Sequence, residues 1–330
     1  MAALDRHARA RGSAQEEAPG LPPPGDAPLP GDDLPELVRR YCHGIVAAAR
    51  YVTIDESGLE RAAERWAQEG LASDPPALDS DDHFLDGGRS EVCAYLLTLD
   101  AINFGSGWFP TLRKRPGRSG YRTIASALAD HFRAHGPWSN AELRAISAET
   151  VAHVLGQDPE HPLMALFARA LRDLGAFLGE REPLAVVASA DGAAKRLAAT
   201  LARAMPFFDD RGFWKRAQIT ANDLALASVA TFGDLDDLTI FADNLVPHVL
   251  RVDGVLRYDP ALAARIDRGE PIPANSPPER EIRAAAVCAC EQLAALVGRP
   301  PREIDVWLWN RGQDRRYKAR PRHRTRTVFY

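Results

Sequence analysis

Apolar residues recur at the 3.6-residue spacing of an α-helix along most of this chain. Leu34, Leu37, Val38, Tyr41 and Ile45 form the first such stripe. Further stripes predict helices over residues 58–70, 90–104, 121–135, 139–146, 148–156, 162–178 and 191–204. Only three short segments favour strands: YVTI (51–54), GVLRY (254–258) and TRTVFY (325–330). The sequence therefore predicts a mainly α-helical single domain with minor short β elements.

Two helix starts have a recognisable capping pattern. Ser139 with Glu142, and Ser276 with Glu279, have the S-x-x-E spacing of a capping box. The helix that Ser276 opens should end near Val297, just before a glycine. Both spacings support the helical interpretation.

The first segment of the chain differs from the rest in composition. Residues 1–32 are rich in Ala, Pro, Gly and charged residues, and they offer little apolar surface to offset the entropy lost on ordering. We expect a disordered N-terminal tail over 1–32 and one folded domain over 33–330.

Composition excludes several classes of protein. With a formal net charge of −4, the whole molecule is not a general binder of polyanions. No apolar run is long enough to span a membrane, and the first residues lack the apolar segment of a signal peptide. The spacing of Cys42, Cys93, Cys288 and Cys290 indicates neither a metal site nor a disulfide framework. We expect a cytoplasmic protein with reduced, buried thiols and no metal or other cofactor.

The segment TIFADNLVPHVL (239–250) places one carboxylate, Asp243, among mostly apolar residues. Removing a carboxylate from water costs free energy unless a partner or a function compensates for it. Two interpretations stay open. Asp243 either complements the dipole at a helix N-terminus, which contributes about 0.3–1 kcal/mol, or it faces a substrate cleft.

Other polar and aromatic residues interrupt the core pattern. The candidates are His83 in an acidic loop, Asn103 and Phe104 after a helix, Lys215 and Arg216 in FWKRAQITANDLA (213–225), and Asp305, Val306, Trp309 and Asn310 in REIDVWLWNRGQD (302–314). Lys215 and Arg216 are cations able to bind an anion if they point inward. Trp307 and Trp309 are two residues apart and point to different sides of a helix, so only one of them can stack on a flat ligand.

The end of the chain is rich in arginine. Arg311, Arg315, Arg316, Lys318, Arg320, Arg322, Arg324 and Arg326 lie close to a single acid, Asp314. Such a run is either a solvated tail or a site that attracts phosphate or RNA.

The order of several segments resembles the queuosine salvage protein family. The segments are TIDESG (53–58), HFLDGG leading into LDAINF (83–104), MPFFDD (205–210), FWKRAQI (213–219), TIFADNLVPHVL (239–250) and IDVWLWN (304–310). The resemblance covers about residues 34–330. It implies an all-helical core similar to helix-hairpin-helix DNA glycosylases. The implied activity is hydrolysis of queuosine 5'-monophosphate to queuine and ribose 5-phosphate, in the salvage of queuine for tRNA modification.

The resemblance also implies roles for particular residues. Asp243 matches the catalytic carboxylate, and Phe241, His83, Asp305 and Val306 match residues at the base. Asn310 stands where some members carry a second Asp, so one charge-paired contact to the amine of queuine is replaced by a neutral amide. Asn103, Phe104 and Trp309 are further candidates for substrate contacts.

The implied chemistry suits these groups. Cleavage of an N-glycosidic bond leaves positive charge on the sugar, and a carboxylate beside that carbon stabilises the transition state more than the ground state. Lys215 and Arg216 are the first choice for the 5'-phosphate, and the terminal arginines are the second. We expect a monomer acting on a small nucleotide without a stable nucleic-acid complex. A glycosylase acting on a DNA or RNA base and a non-catalytic helical RNA-binding module remain the alternatives.

Overall fold

The computed structural model describes residues 26–71 and 76–330, and most of these residues are helical. The first helices are α1 (Leu34–Ala47), α2 (Glu56–Gln68), α3 (Arg89–Ala101), α4 (Gly120–His135), α5 (Asn140–Ala145), α6 (Ala148–Leu155), α7 (Pro162–Leu178) and α8 (Pro183–Ala188). They are followed by α9 (Ala194–Ala204), α10 (Lys215–Leu226), α11 (Val246–Val252), α12 (Pro260–Asp267), α13 (Pro277–Val297), α14 (Pro301–Arg311) and α15 (Arg315–Lys318). The mainly α-helical prediction is confirmed.

Two helices organise the packing. The long helix α13 contacts α1, α2, α11 and α14, and most of its first four turns is buried. Helix α3 contacts α4, α7, α8 and α10, and its residues from Val92 to Ala101 are buried except one. A helix that is apolar around its whole circumference belongs in the interior of a protein. The site described below lies where the groups around α3 and α13 meet.

One small sheet joins distant parts of the chain. Strand β1 (Val52–Ile54) pairs antiparallel with β2 (Leu256–Tyr258), with Val52 opposite Tyr258. These strands confirm two of the three predicted β segments. The third prediction is wrong, since residues 325–330 form no strand. Buried side chains do alternate with exposed ones over residues 323–327, which produces the strand-like pattern in the sequence.

The two predicted capping boxes have different outcomes. Ser139 and Glu142 form the box, because each side chain is hydrogen-bonded to the backbone N–H of the other residue. Ser276 precedes α13 but its side chain caps no N–H group there. Glu279 is buried instead, where it accepts a hydrogen bond from the hydroxyl of Tyr330 at 2.8 Å. The second capping box is therefore absent, because tertiary packing places the side chain of Glu279 against Tyr330.

The N-terminal expectation falls partly outside the described residues, since residues 1–25 lie there. Residues 26–32 lie against the helical body. Pro30 accepts a hydrogen bond from Arg203 at 2.9 Å, and the Asp26 carboxylate accepts one from the Tyr41 hydroxyl at 2.9 Å. Contacts with the helical body thus include residues 26 and 30, and the boundary at 33 stays a prediction.

Two further expectations from composition concern the cysteines and membrane-spanning helices. All four cysteines are free and buried. None of the helices in residues 26–71 and 76–330 combines the length and hydrophobicity needed to span a membrane.

Candidate active site

A cavity of about 700 Å³ lies between α10, α11, α14, the loops around α4 and the C-terminal segment, residues 319–330. Ten of the predicted site residues line it: His83, Asn103, Phe104, Lys215, Phe241, Asp243, Asp305, Val306, Trp309 and Asn310. These residues come from five separate parts of the sequence. The structure therefore brings together every predicted site residue except Arg216.

Asp243 precedes helix α11 and caps it. Its Oδ1 atom accepts hydrogen bonds from the backbone N–H groups of Leu245, at 2.7 Å, and Val246, at 3.1 Å. No hydrogen bond from a described residue reaches Oδ2, and the half-buried side chain lines the cavity. One oxygen therefore caps the helix, as in the first interpretation from the sequence, and the side chain also faces a cavity. A role towards a substrate stays a prediction.

Asp305 lies on α14 and faces the segment that carries Asp243. Its Oδ1 atom accepts a hydrogen bond from the backbone N–H of Phe241 at 2.9 Å, which fixes the position of that aromatic residue. Burial and the nearby charge of Asp243 raise the pKa of Asp305 to about 8. At neutral pH this side chain is consequently a carboxylic acid with a proton to donate.

Lys215 is the first residue of α10, and its side chain is buried. Its Nζ atom lies 3.4 Å from the carbonyl oxygen of Asn103. Burial lowers the pKa of Lys215, and the carboxylate of Asp243 opposes this shift more than any other group. The ammonium is thus a counter-charge for the acidic residues of the cavity.

Arg216 is placed differently from its neighbour. Its guanidinium group donates hydrogen bonds to four backbone carbonyls, those of Asp100, Ala101, Phe207 and Val328. The group is stacked between the rings of Phe104 and Phe208 and does not line the cavity. This placement argues against the phosphate contact expected of Arg216 and indicates that the residue stabilises the fold.

Aromatic residues form another part of the wall. His83 is bonded through Nδ1 to the carbonyl of Asp79 at 2.8 Å and through Nε2 to the hydroxyl of Tyr121 at 2.9 Å. The ring of Trp309 meets that of Tyr121 edge to face, with centroids 5.5 Å apart. Trp307 packs on Trp66 instead, with a centroid distance of 5.6 Å. The two tryptophans therefore do point to different sides of α14.

The arginine-rich end packs onto the body, so the interpretation as a solvated tail is wrong for it. The carbonyl of Tyr330 accepts a hydrogen bond from Gly105 N–H at 2.9 Å, and that of His323 accepts one from the Asn244 amide at 3.4 Å. A side chain at Gly107 would overlap the backbone of Thr325. Lys318, Arg320, Arg322 and Arg324 consequently line the cavity.

A buried arginine connects the two segments that carry Asp243 and Lys215. Arg283 of α13 donates two hydrogen bonds to Asp210, at 3.0 and 2.5 Å, and one to the carbonyl of Ala242 at 3.0 Å. Asp210 lies 3.4 Å from the backbone nitrogen of Lys215. Arg283 thereby sets the distance between the residue before Asp243 and the start of α10.

Other lining residues were not selected from the sequence. Tyr121, Asn222 and Asp223 line the cavity, and Arg322 was only a second choice. A signal existed for Asn222 and Asp223, since they are adjacent polar residues in a helix that is buried on nearly every side. Tyr121 lies in an ordinary amphipathic helix, and nothing in its local sequence separates it from a core residue.

Comparison with known proteins agrees with this geometry. A family model described as "Queuosine salvage protein" matches residues 83–330, which include the whole cavity wall from His83 onward. The chain belongs to the queuosine salvage protein family. It is 37% identical over 325 residues to a protein of Sphaerobacter thermophilus named queuosine 5'-phosphate N-glycosylase/hydrolase, an alignment that covers 91% of this chain and 99% of the relative.

Two eukaryotic relatives of the queuosine salvage family carry the same name. The protein of Dictyostelium discoideum is 28% identical, with 89% of this chain and 98% of the relative covered. The protein of Bos taurus is 27% identical, with 87% of this chain and 96% of the relative covered. The similarity extends over nearly the full length of these proteins.

Proposed function

We propose that this protein hydrolyses the N-glycosidic bond of queuosine 5'-monophosphate and releases queuine and ribose 5-phosphate. Membership of the queuosine salvage family supports the reaction, since the relatives are named for it. The observation that carries the assignment of the site is that Asp243, whose Oδ2 atom receives no hydrogen bond from residues 26–71 and 76–330, lines a cavity large enough for a nucleotide. The released base serves the salvage of queuine for tRNA modification.

In the proposed mechanism Asp243 lies beneath the anomeric carbon. Departure of the base gives the sugar the character of an oxocarbenium ion, and a fixed carboxylate stabilises this cation. The two N–H groups that hold Oδ1 keep the carboxylate in place before the reaction. Electrostatic stabilisation of the cation and covalent attack on it both use a carboxylate oxygen that faces the cavity, and Oδ2 supplies it. Water then adds to the anomeric carbon to form ribose 5-phosphate, and the proton that it loses balances the proton that the departing base takes up.

The departure of the base needs acid assistance from the protein, because the ring of the base lacks one of the usual protonation sites. A 7-deazaguanine has a carbon where guanine has N7, so protonation at that position cannot assist departure. Asp305 is a neutral acid near pH 7 and lies beside Phe241, the proposed stacking partner of the base. We assign Asp305 as the group that donates a proton or a hydrogen bond to the departing base. Val306, Trp309, Asn310, Phe104, Asn103 and His83 complete the proposed base-binding wall.

The 5'-phosphate is assigned to the C-terminal segment. Arg322 lines the cavity, and burial lowers the pKa of its guanidinium; Asp243 opposes this shift, and the nearby Arg324 adds to it. Neighbouring cations of like charge favour the binding of an anion between them. Lys215 is surrounded by Asp243, Asp100 and Asp305, so we assign it to the charge balance of the site.

The competing functions explain less of the site. A glycosylase acting on polymeric DNA or RNA needs a basic face for the phosphate backbone, but the net charge here is −4. A non-catalytic RNA-binding module would use the arginines at the chain end as an exposed surface, whereas several of them line the cavity. We expect a monomer that acts on a free nucleotide without a stable nucleic-acid complex.

One experiment tests the reaction and the catalytic residue together. The protein is incubated with queuosine 5'-monophosphate and, separately, with GMP, and the released base is identified by mass. We expect queuine to be released from the first substrate and little guanine from the second. Asp243→Asn removes the negative charge but keeps the side-chain shape, and it should lower kcat by about 10²–10³-fold or more, the loss typical when a key electrostatic group is removed.

The control for this experiment is thermal unfolding of Asp243→Asn, because Asn also caps helices well. A variant that unfolds near the wild-type temperature and still hydrolyses the substrate at a near-normal rate would remove Asp243 from the proposed role.

A further inference from the structure

Helix α10 presents two consecutive polar side chains to the cavity, and the mechanism above uses neither. Asn222 is fully buried and Asp223 is 4% exposed, yet both line the cavity. The amide of Asn222 donates a hydrogen bond to Oδ1 of Asp223 at 3.2 Å. The pair therefore forms one polar unit on the part of the cavity wall that α10 provides.

This unit has unused acceptor atoms. The buried Oδ1 atom of Asn222 has no hydrogen-bond partner in the described part of the chain. Within the same residues, no hydrogen bond is donated to Oδ2 of Asp223. A buried acceptor without a donor costs about 1–3 kcal/mol. Asn222 Oδ1 is such an acceptor, and Oδ2 of Asp223 faces the same cavity without a donor from the described residues. Burial and Asp100 raise the pKa of Asp223, and a ligand that brings N–H groups or a positive charge would stabilise its carboxylate form.

The position of Asp223 indicates which part of the substrate these acceptors meet. Burial raises the pKa of Asp223, and Asp100 and Asp305 contribute to this shift, so Asp305 lies within electrostatic reach of Asp223. The hydroxyl of Tyr121, which is bonded to His83, also lies within electrostatic reach of Asp223. Asp305 and His83 belong to the wall assigned to the base. Asp223 consequently lies at the base end of the cavity.

We propose that Asp223, supported by Asn222, determines substrate specificity by accepting hydrogen bonds from N–H donors of the base moiety. The inference rests on the proposed function, which supplies a base with two kinds of such donors. One is the ring edge with its imino and amino groups, and the other is the ammonium of the side chain. Asn310 at the cavity wall is a neutral amide, which cannot pair with that ammonium by charge. Asp223 is a buried acid of the same wall, and as a carboxylate it can.

The energetic consequence is discrimination against bases without these donors. A site built to bond an N–H group rejects an analogue that lacks it more strongly than a hydrophobic pocket rejects a missing methylene group. The reason is that the analogue leaves the buried acceptors unpaired. Bases with an amino-pyrimidinone edge or a cationic side chain should bind, and adenine-like bases should not.

Calorimetric binding of free bases tests this inference independently of turnover. The probes are queuine, an analogue without the 2-amino group, and an analogue with a methyl group in place of the side-chain amine. Wild-type protein is compared with Asp223→Leu, which has similar volume and no acceptor. Calorimetry reports the Kd separately from the fraction of protein that binds, so partial misfolding does not alter the comparison.

For wild-type protein we expect the Kd of at least one analogue to exceed that of queuine by about 10–100-fold, as for loss of one charged hydrogen bond. In Asp223→Leu this ratio should fall to about 1–3-fold, since the contact has been removed from the protein side. If the ratio falls for the analogue without the 2-amino group, the contact of Asp223 is with the ring edge. If the ratio falls for the analogue with a methyl group in place of the amine, the contact of Asp223 is with the ammonium.

Asp173→Asn on α7 provides the matched control. Asp173 is a partly buried acid whose pKa is raised by burial, but it does not line the cavity, so both ratios should stay at the wild-type values. The inference is overturned if wild-type protein binds all three bases equally, or if Asp223→Leu keeps both wild-type ratios. Release of queuine by wild-type protein in the hydrolysis assay would leave the proposed function standing in either case.

Discussion

The two carboxylate oxygens of Asp243 have different neighbours. Oδ1 is held by two backbone N–H groups at the start of α11, and Oδ2 receives no hydrogen bond from the described residues. Asp305 lies nearby with a raised pKa, so the site pairs an oriented carboxylate with a neutral acid. Two carboxyl groups whose environments separate their protonation states are a common basis for acid and base roles in catalysis.

The protonation of Asp305 predicts the alkaline side of the pH profile. Its pKa in the folded protein is about 8, so the acid is protonated at neutral pH and loses its proton as pH rises through 8. The value of kcat at saturating substrate should therefore fall above about pH 8. In Asp305→Asn, kcat should be lower at pH 7 and this alkaline limb should disappear, because an amide does not titrate. Persistence of the same limb in Asp305→Asn would show that another group causes it.

At the level of elements, the C-terminal segment acts as part of the cavity wall. His323, Thr325 and Thr327 are buried, whereas the arginines between them face outward or into the cavity. The carbonyl of Arg324 also accepts a hydrogen bond from Ile272 N–H at 2.8 Å. An extended segment pinned from several sides holds its alternate side chains in fixed directions. This explains how a run of basic residues contributes to a specific site.

Arg322→Gln tests the proposed phosphate contact of this segment. A hydrogen bond between charged groups contributes about 1.5–3 kcal/mol, so kcat/KM for queuosine 5'-monophosphate should fall by about 10–100-fold. The value for unphosphorylated queuosine should change little. Lys215→Met should instead lower both values by similar factors, since Lys215 balances the acids around the reacting carbon.

The control for Arg322 is Arg326→Gln. Arg326 belongs to the same segment, but its guanidinium lies over Trp108 and does not line the cavity. Its kcat/KM ratio for the two substrates should match the wild type. Equal losses on both substrates in Arg322→Gln would contradict the phosphate assignment.

For the whole molecule, buried charge holds the two sides of the site together. Arg283 bonds Asp210 and the backbone of residue 242 at once, and its guanidinium lies 3.9 Å from the ring centroid of Phe213 and 4.5 Å from that of Tyr330. The attraction of Asp210 raises the pKa of Arg283, although burial opposes it. A buried ion pair is costly to break, because the remaining partner keeps an uncompensated charge.

Arg283→Met should therefore lower the free energy of unfolding by about 3–5 kcal/mol, measured by chemical denaturation. Where the variant remains folded, its kcat should fall more than its KM rises, because the spacing between Asp243 and Lys215 is disturbed. Arg280→Met on the same helix removes an exposed ion pair with Asp26, and it should cost no more than about 1 kcal/mol. A loss in Arg283→Met as small as in Arg280→Met would contradict this role.

Local sequence predicted most of the helices and both strands of the small sheet, because apolar spacing and turn residues act over a few neighbouring positions. The order of segments indicated the family. The order of segments also predicted ten residues that line the cavity, including Asp243 and Asp305. Tertiary structure alone decided the direction of Arg216, which binds four carbonyls, and of Arg322, which lines the cavity. Adjacent cations and acids look alike in a sequence. Only the packing around them determines which meet a buried carbonyl, an aromatic ring or open space for a ligand.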